Sequence, residues 1–251
     1  MKRFIVCSLL IWSIFCFAGP LSLNASEKAI PVLSYYDFGP FVTGENQGFA
    51  YEFVRLLNKH AAPKFKFQLK HWPRKRIDIF LKTQQGAVLF VNPKWMKDIK
   101  KEKYLWTPTF LTDRNEVISR ADRKIVFNGA DSLKGLKLGG ILGRKYHGLE
   151  EAFVRGDIIR EDVRYERQNL KKVISGRIDV TTQPMTVAKY LIRDMGLKGK
   201  FFFSPTPLHS STRHILVTGQ LGDVHEFLSE FVRNLSDNSE WKNIVRRYEL
   251  Q

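Results

Sequence analysis

Two hydrophobic periodicities alternate along the chain. Val32, Leu33 and Tyr35 precede Asp37, Phe38, Gly39 and Pro40, so a short strand ends in a turn that cannot extend a ladder. After a second turn at 44–48, Phe49, Phe53 and Leu57 recur every four positions with Ala50 and Val54 beside them, which predicts an amphipathic helix. Phe65, Phe67 and Leu69 then alternate with Lys64, Lys66, Gln68 and Lys70, the pattern of a strand with one face on a core. His71, Trp72 and Pro73 break it. Residues 76–82 read as a short helix carrying Ile77, Phe80 and Leu81, and the apolar run Ala87–Val91 reads as a strand buried on both faces that ends at Asn92-Pro93.

A second series begins near Val117. Strands are predicted over 136–142, 163–166, 178–182, Phe201–Phe203 and 215–217, and helices over 149–154, 170–174 and 185–195. The stretches 116–120 and 204–212 read as connections between the two series. Near the C-terminus Val224, Phe227, Leu228, Phe231, Val232 and Leu235 lie at helical spacing, and Trp241, Ile244 and Val245 give a second apolar face. Strands alternating with helices predict a doubly wound α/β architecture, in which ligands bind at the carboxyl ends of strands. The Asp37 loop, Trp72 and Asn92 all fall at such ends.

A chain of 251 residues is long enough for two modest domains with separate cores. Lys2 and Arg3 precede an apolar run over 4–17, followed by small residues at Ala18, Gly19 and Ala25, the order of a secretory signal peptide over 1–25 with cleavage after Ala25 or Ala18. Export to the periplasm is the expected consequence. Both cysteines, Cys7 and Cys16, lie in that segment, so the mature chain carries no disulfide, thiolate nucleophile or cysteine-bound metal. The formal charge is +16, and removing Lys2 and Arg3 takes the basic count from 41 to 39 against 25 acids, near +14. The basic residues are spread along the chain in short, interrupted clusters, which reads as a solvated surface and not as a nucleic-acid site.

Enzyme motifs are largely missing. Gly139, Gly140 and Gly143 precede Arg144-Lys145, but a Walker loop needs Gly-Lys followed by Ser or Thr. The turn reads either as a plain strand-to-helix connection or as a helix N-terminus that attracts an anion. Six histidines show no metal-ligand spacing, and no metal or cofactor is expected. Tyr35, Tyr36, Phe38, Phe41, Trp72 and Trp95 gather on the predicted ligand loops, suited to sandwiching the flat part of a small molecule.

Gly48-Phe49 with Glu52, opening the first helix after an aromatic loop, resembles the bacterial extracellular solute-binding proteins of family 3, and the order of the remaining chain resembles them as well. The resemblance implies a type II two-lobed fold, each lobe a doubly wound, mostly parallel sheet flanked by helices. It implies a discontinuous first lobe, 26–115 with 214–251, and a second lobe over 116–213. Arg76 in Pro73-Arg74-Lys75-Arg76 resembles the P-x-x-R element of many such proteins, and arginine offers a bidentate fork to an anion. The chain departs from the amino-acid-binding pattern twice: Asn92-Pro93-Lys94-Trp95-Met96 lacks the clamping arginine, and Pro184 follows Gln183 where an acid would bind an ammonium group. The expected ligand set is therefore Tyr35, Asp37, Phe38, Trp72, Arg76, Asn92, Trp95, Gly143, Arg144 and Gln183. The expected function is a monomeric, non-enzymatic periplasmic binding protein that closes over a small polar or anionic molecule, for an ABC transporter or a membrane sensor. The alternatives are a dehydratase-like enzyme, for which Glu52 and Asp37 are the available carboxylates, and a basic envelope-binding module.

Overall fold

The computed structural model describes residues 29–250. The expected signal peptide, its cleavage near Ser26, and Cys7 and Cys16 lie outside the described residues.

The first half of the chain runs β1 (Ile30–Ser34), α1 (Phe49–Ala61), β2 (Phe67–His71), α2 (Arg74–Thr83), β3 (Ala87–Val91) and the short β4 (Leu105–Trp106), followed by the long β5 (Leu111–Arg120). The second half runs β6 (Lys137–Ile141), α3 (Glu150–Val154), β7 (Ile159–Val163), α4 (Glu166–Ile174), β8 (Val180–Pro184), α5 (Met185–Asp194), β9 (Phe201–Phe203) and β10 (His209–Val217). Two helices, α6 (Gly222–Asn234) and α7 (Ser239–Tyr248), close the chain.

Both halves build the same sheet. β1 lies between β2 and β3, parallel to each, and β10 adds an antiparallel fourth strand beside β3. β6 likewise lies between β7 and β8, parallel to each, and β5 adds the antiparallel fourth beside β8. Each lobe therefore has a switch point beside its central strand, and the carboxyl ends of β1 and β3 on one side, β6 and β8 on the other, are where a crevice forms.

β5 and β10 also pair with each other, from Leu111–Arg213 to Asn115–His209, and this two-stranded ribbon joins the lobes. The stretch 116–120, expected as a connection, is instead strand, paired with β8 and β9 and almost wholly buried. Residues 209–212, expected within the other connection, belong to the ribbon. Their Ser/Thr-rich composition hides the strand because hydrogen bonding to β5, and not an alternating apolar face, holds it. The expected strand at 163–166 lies further along than the observed β7, whose polar residues 160–162 mask its period, and Glu166 opens α4.

The C-terminal helices α6 and α7 pack against α1. Trp241 of α7 packs 5.9 Å from Phe49 and 5.8 Å from Phe53 between ring centroids. Arg247 and Tyr248 both hydrogen-bond to Glu52 at 2.8 Å. α5 carries Val187, Ala188, Leu191 and Ile192 into the same continuous apolar cluster, so the lobes touch along this side. There Tyr190 rests against Gly39, where a Cβ would fall 2.1 Å from its ring.

Candidate functional site

Two adjoining cavities open where the four strand ends converge. One, of about 470 Å³, is walled by Tyr35, Tyr36 and Phe38 from the loop after β1, Trp95 from the loop after β3, Pro184 and Val187 from the second lobe, and polar residues of the ribbon. The other, of about 760 Å³, shares Trp95, Lys145, His147, His209 and Ser211 with the first.

The centre of the first cavity is Arg213. Its Nη2 donates to Asp113 Oδ2 at 2.6 Å, and its Nη1 donates to the Tyr36 hydroxyl at 2.9 Å and the Phe90 carbonyl at 3.1 Å. The guanidinium lies 5.1 Å from the Tyr36 ring and 5.6 Å from the Trp95 ring, within cation–π range. Phe90 has a left-handed φ of 61°, rare for a bulky residue, close to the register shift between β3 and β10. That backbone turns its carbonyl to Arg213. Burial by itself pulls the Arg213 pKa down, but the Tyr36 hydroxyl and the Asp113 carboxylate outweigh it and hold the pKa above its ordinary value. Thr186 at the start of α5 donates to the same Asp113 oxygen at 2.9 Å, so both lobes share this carboxylate.

The other arginines of this cavity are paired in the same manner. Arg74 meets Asp78 at 2.8 Å, Arg114 meets Glu116 at 2.8 Å, and Arg144 meets Glu166 at 2.6 Å. Glu116 is fully buried, and burial is the chief reason its carboxyl pKa lies above the ordinary value.

The structure brings together Tyr35, Phe38, Trp95 and Arg144 in the first cavity and Asn92 with Trp95 in the second. Asn92 is already engaged: its amide nitrogen donates to the Thr212 carbonyl at 3.0 Å, and its oxygen accepts from the Lys94 N–H at 2.9 Å. The remaining expected residues lie elsewhere. Trp72 and Arg76 stack on each other at 4.0 Å and line neither cavity. In the same motif it is Arg74 that reaches the cavity, because positions two apart on a helix point about 200° away from each other. Asp37 is exposed outside the lining. Gln183 is buried opposite Glu116 in the β5–β8 pair, with both amide atoms unpartnered. Gly143 sits in an open turn with φ 77°, and the next helix begins only at Glu150, with two acids in its first turn, so no free helix N-terminus faces an anion there. Gly139 and Gly140 serve packing, since a Cβ on either would come within 2.3 Å of Ile178 or Asp162. Glu52, one of the two carboxylates considered for catalysis, is spent on Arg247 and Tyr248.

Sequence reasoning missed Arg213, Asp113, Arg74 and Lys145. Arg213 and Asp113 carried one faint signal, a charge set among the residues that flank an apolar run, which also describes ordinary surface positions. Among the described residues, no group of three or more His, Cys, Asp or Glu side chains is placed to hold a metal ion, and no helix is long and apolar enough to cross a membrane.

No protein-family model matches the chain, and no curated protein matches it. Solved structures do. A mutant of ArgBP from T. maritima superposes with a TM-score of 0.63 at 15% identity, over 90% of this chain and 97% of that one. An ancestral cationic amino acid solute-binding protein gives 0.68 at 14% identity, over 90% and 97%. A structure described for glutathione import through GshT and the cystine ABC importer of Streptococcus mutans gives 0.66 at 14% identity, over 88% and 95%. At such identities the likeness carries the fold: the chain has the type II periplasmic-binding-protein fold, two lobes of mostly parallel sheet joined by a crossing ribbon.

Proposed function

We propose that the protein is a solute-binding protein that closes its two lobes over a small molecule, with a polar or anionic ligand held in the paired cavities. The observation that carries this reading is the convergence of aromatic rings and charged groups from both lobes on one crevice, where Arg213, Asp113, Tyr36 and Thr186 already link the lobes. Aromatic rings set among fixed polar and charged groups suit a small polar ligand. The lobes, 29–115 with 214–250 and 116–213, turn about the β5–β10 ribbon, the hinge closure typical of this architecture. Delivery to an ABC transporter or a membrane sensor after export to the periplasm completes the reading. The solved relatives described for amino acids and for glutathione import support it. We read the protein as non-enzymatic, since Glu52 is engaged elsewhere and the lining carboxylates Asp113 and Glu166 each neutralise an arginine.

A thermal-shift screen of amino acids, organic acids, sugars and nucleotides tests the reading. A ligand at about a hundred times its dissociation constant stabilises the folded state by roughly 2.7 kcal/mol. Absence of any stabilising compound, together with unchanged solution dimensions across the set, would overturn it.

A further inference from the structure

The two cavities differ in how their charges are balanced. Every guanidinium in the lining of the first has its own carboxylate within 2.8 Å, so the arginines there add little net attraction for an anion. The second is lined by Lys94 and Lys97 from the loop after β3, Lys145 and His147 from the loop after β6, and His209 at the start of β10, and its lining contains no Asp or Glu. Lys94, Lys97 and Lys145 have no ion pair or hydrogen bond through their ammonium groups among the described residues. These like charges come from opposite lobes, so closing the cleft presses them together. At about 4 Å two such charges repel by roughly 1 kcal/mol even in water, and more beside a protein wall. An anion between them turns that repulsion into attraction, whereas a cation would increase it.

Trp95 and Lys145 belong to both linings, so the chamber of paired arginines opens directly onto the one that carries the unpaired lysines. A molecule lying across Trp95 puts one end among Tyr36, Phe38 and Val187 and the other among the lysines. We propose that the mouth formed by Lys94, Lys97 and Lys145 seats the anionic group of the ligand, and that the ligand is a flat apolar body bearing a carboxylate or phosphate group. This rests on the solute-binding reading above and reassigns the anion from the arginines to the lysines. It also gives the cleft a discriminating element: a neutral molecule of the same shape leaves the lysine repulsion in place.

Calorimetry with phenyl phosphate, benzoate and neutral benzyl alcohol on the purified protein tests the assignment. At least one of the two anions is expected to bind about ten-fold or more tighter than benzyl alcohol, the size of one charge-assisted contact. Lys94→Ala and Lys145→Ala should each weaken that anion several-fold, Lys94→Arg should retain it, and Lys242→Ala on α7 should leave it unchanged. Preference for phenyl phosphate identifies a phosphate group, and preference for benzoate a carboxylate. Equal binding of benzyl alcohol, or a Lys94→Ala/Lys145→Ala double variant that binds the anion normally, overturns the lysine assignment while solute binding stands. Failure of all three probes also overturns it, and the broad screen then judges the solute-binding reading separately.

Discussion

Arg213 and Asp113 form an ion pair inside the ribbon that joins the lobes, with Nη2 and Oδ2 2.6 Å apart and each side chain only 3% exposed. In-register partners place Arg213 beside Leu111 and Asp113 beside Ser211, so the pair reaches diagonally across the β5–β10 ladder. Diagonal neighbours on a sheet lie within reach of long side chains. Tyr36 and Phe90 take the other edge of the guanidinium and fix its orientation.

Removing one partner of this pair leaves an uncompensated buried charge, which costs about 3–5 kcal/mol. Asp113→Asn and Arg213→Met should each lower the urea midpoint strongly. The combined Asp113→Leu/Arg213→Met chain should recover part of that loss. Additive losses in the double variant would show that the two residues are not coupled.

Gly39 in the loop after β1 lies directly against the ring of Tyr190 on α5, and a methyl group at Gly39 would overlap that ring. Gly39→Ala should therefore hold the lobes apart, which small-angle scattering would record as a larger radius of gyration. The further change Tyr190→Ala should restore the wild-type dimensions. Unchanged scattering for Gly39→Ala would mean that Tyr190 moves aside without opening the cleft.

Asp98 organises the loop that carries Lys94, Trp95 and Lys97. It accepts from the Glu102, Lys103 and Tyr104 N–H groups and from the Trp106 indole at 2.8 to 3.2 Å. Burial pushes its pKa up, but these four donors outweigh burial and leave it below the ordinary value. A depressed folded pKa gives stability that is present above the unfolded carboxyl pKa and lost as the pH falls through the folded one. Asp98→Asn should cost about 1–3 kcal/mol at neutral pH. Urea titrations should show the gap closing on the acid side, below about pH 4. A gap independent of pH would assign the loss to packing instead.

Glu116 has the opposite sign. Burial raises its pKa, the neighbouring Asp113 adds to the rise, and Arg114 opposes it. With a folded pKa above the unfolded one, ionisation costs stability progressively as the pH rises, while below the unfolded pKa the cost is absent. Glu116→Gln should melt above wild type at pH 8 and lose that advantage by about pH 4. A lower melting temperature at pH 8 would mean that the 2.8 Å contact with Arg114 outweighs the desolvation of the carboxylate.

The sequence by itself determined most of the elements and the loops on which the site is built. Phe49, Phe53 and Leu57 at four-residue spacing and the unbroken run Ala87–Val91 report burial directly, because helix and strand periods follow from local backbone geometry. Tyr35, Phe38 and Trp95 were legible for the same reason, as aromatics just beyond strand ends. Tertiary structure alone decided which charges face the crevice and which are already neutralised. Arg74 and Arg76 are near neighbours in sequence and differ only in helix phase, yet one lines the cavity and the other stacks on Trp72. Arg213 and Asp113 are one hundred residues apart and meet only because two antiparallel strands pair. Lys94 and Lys145 come from different lobes, and no local pattern marks them as facing one mouth without a carboxylate between them. Periodicity encodes burial, which is a property of each segment, whereas charge balance in a cleft is a property of the distances between segments, and those are set by the register of β5 against β10.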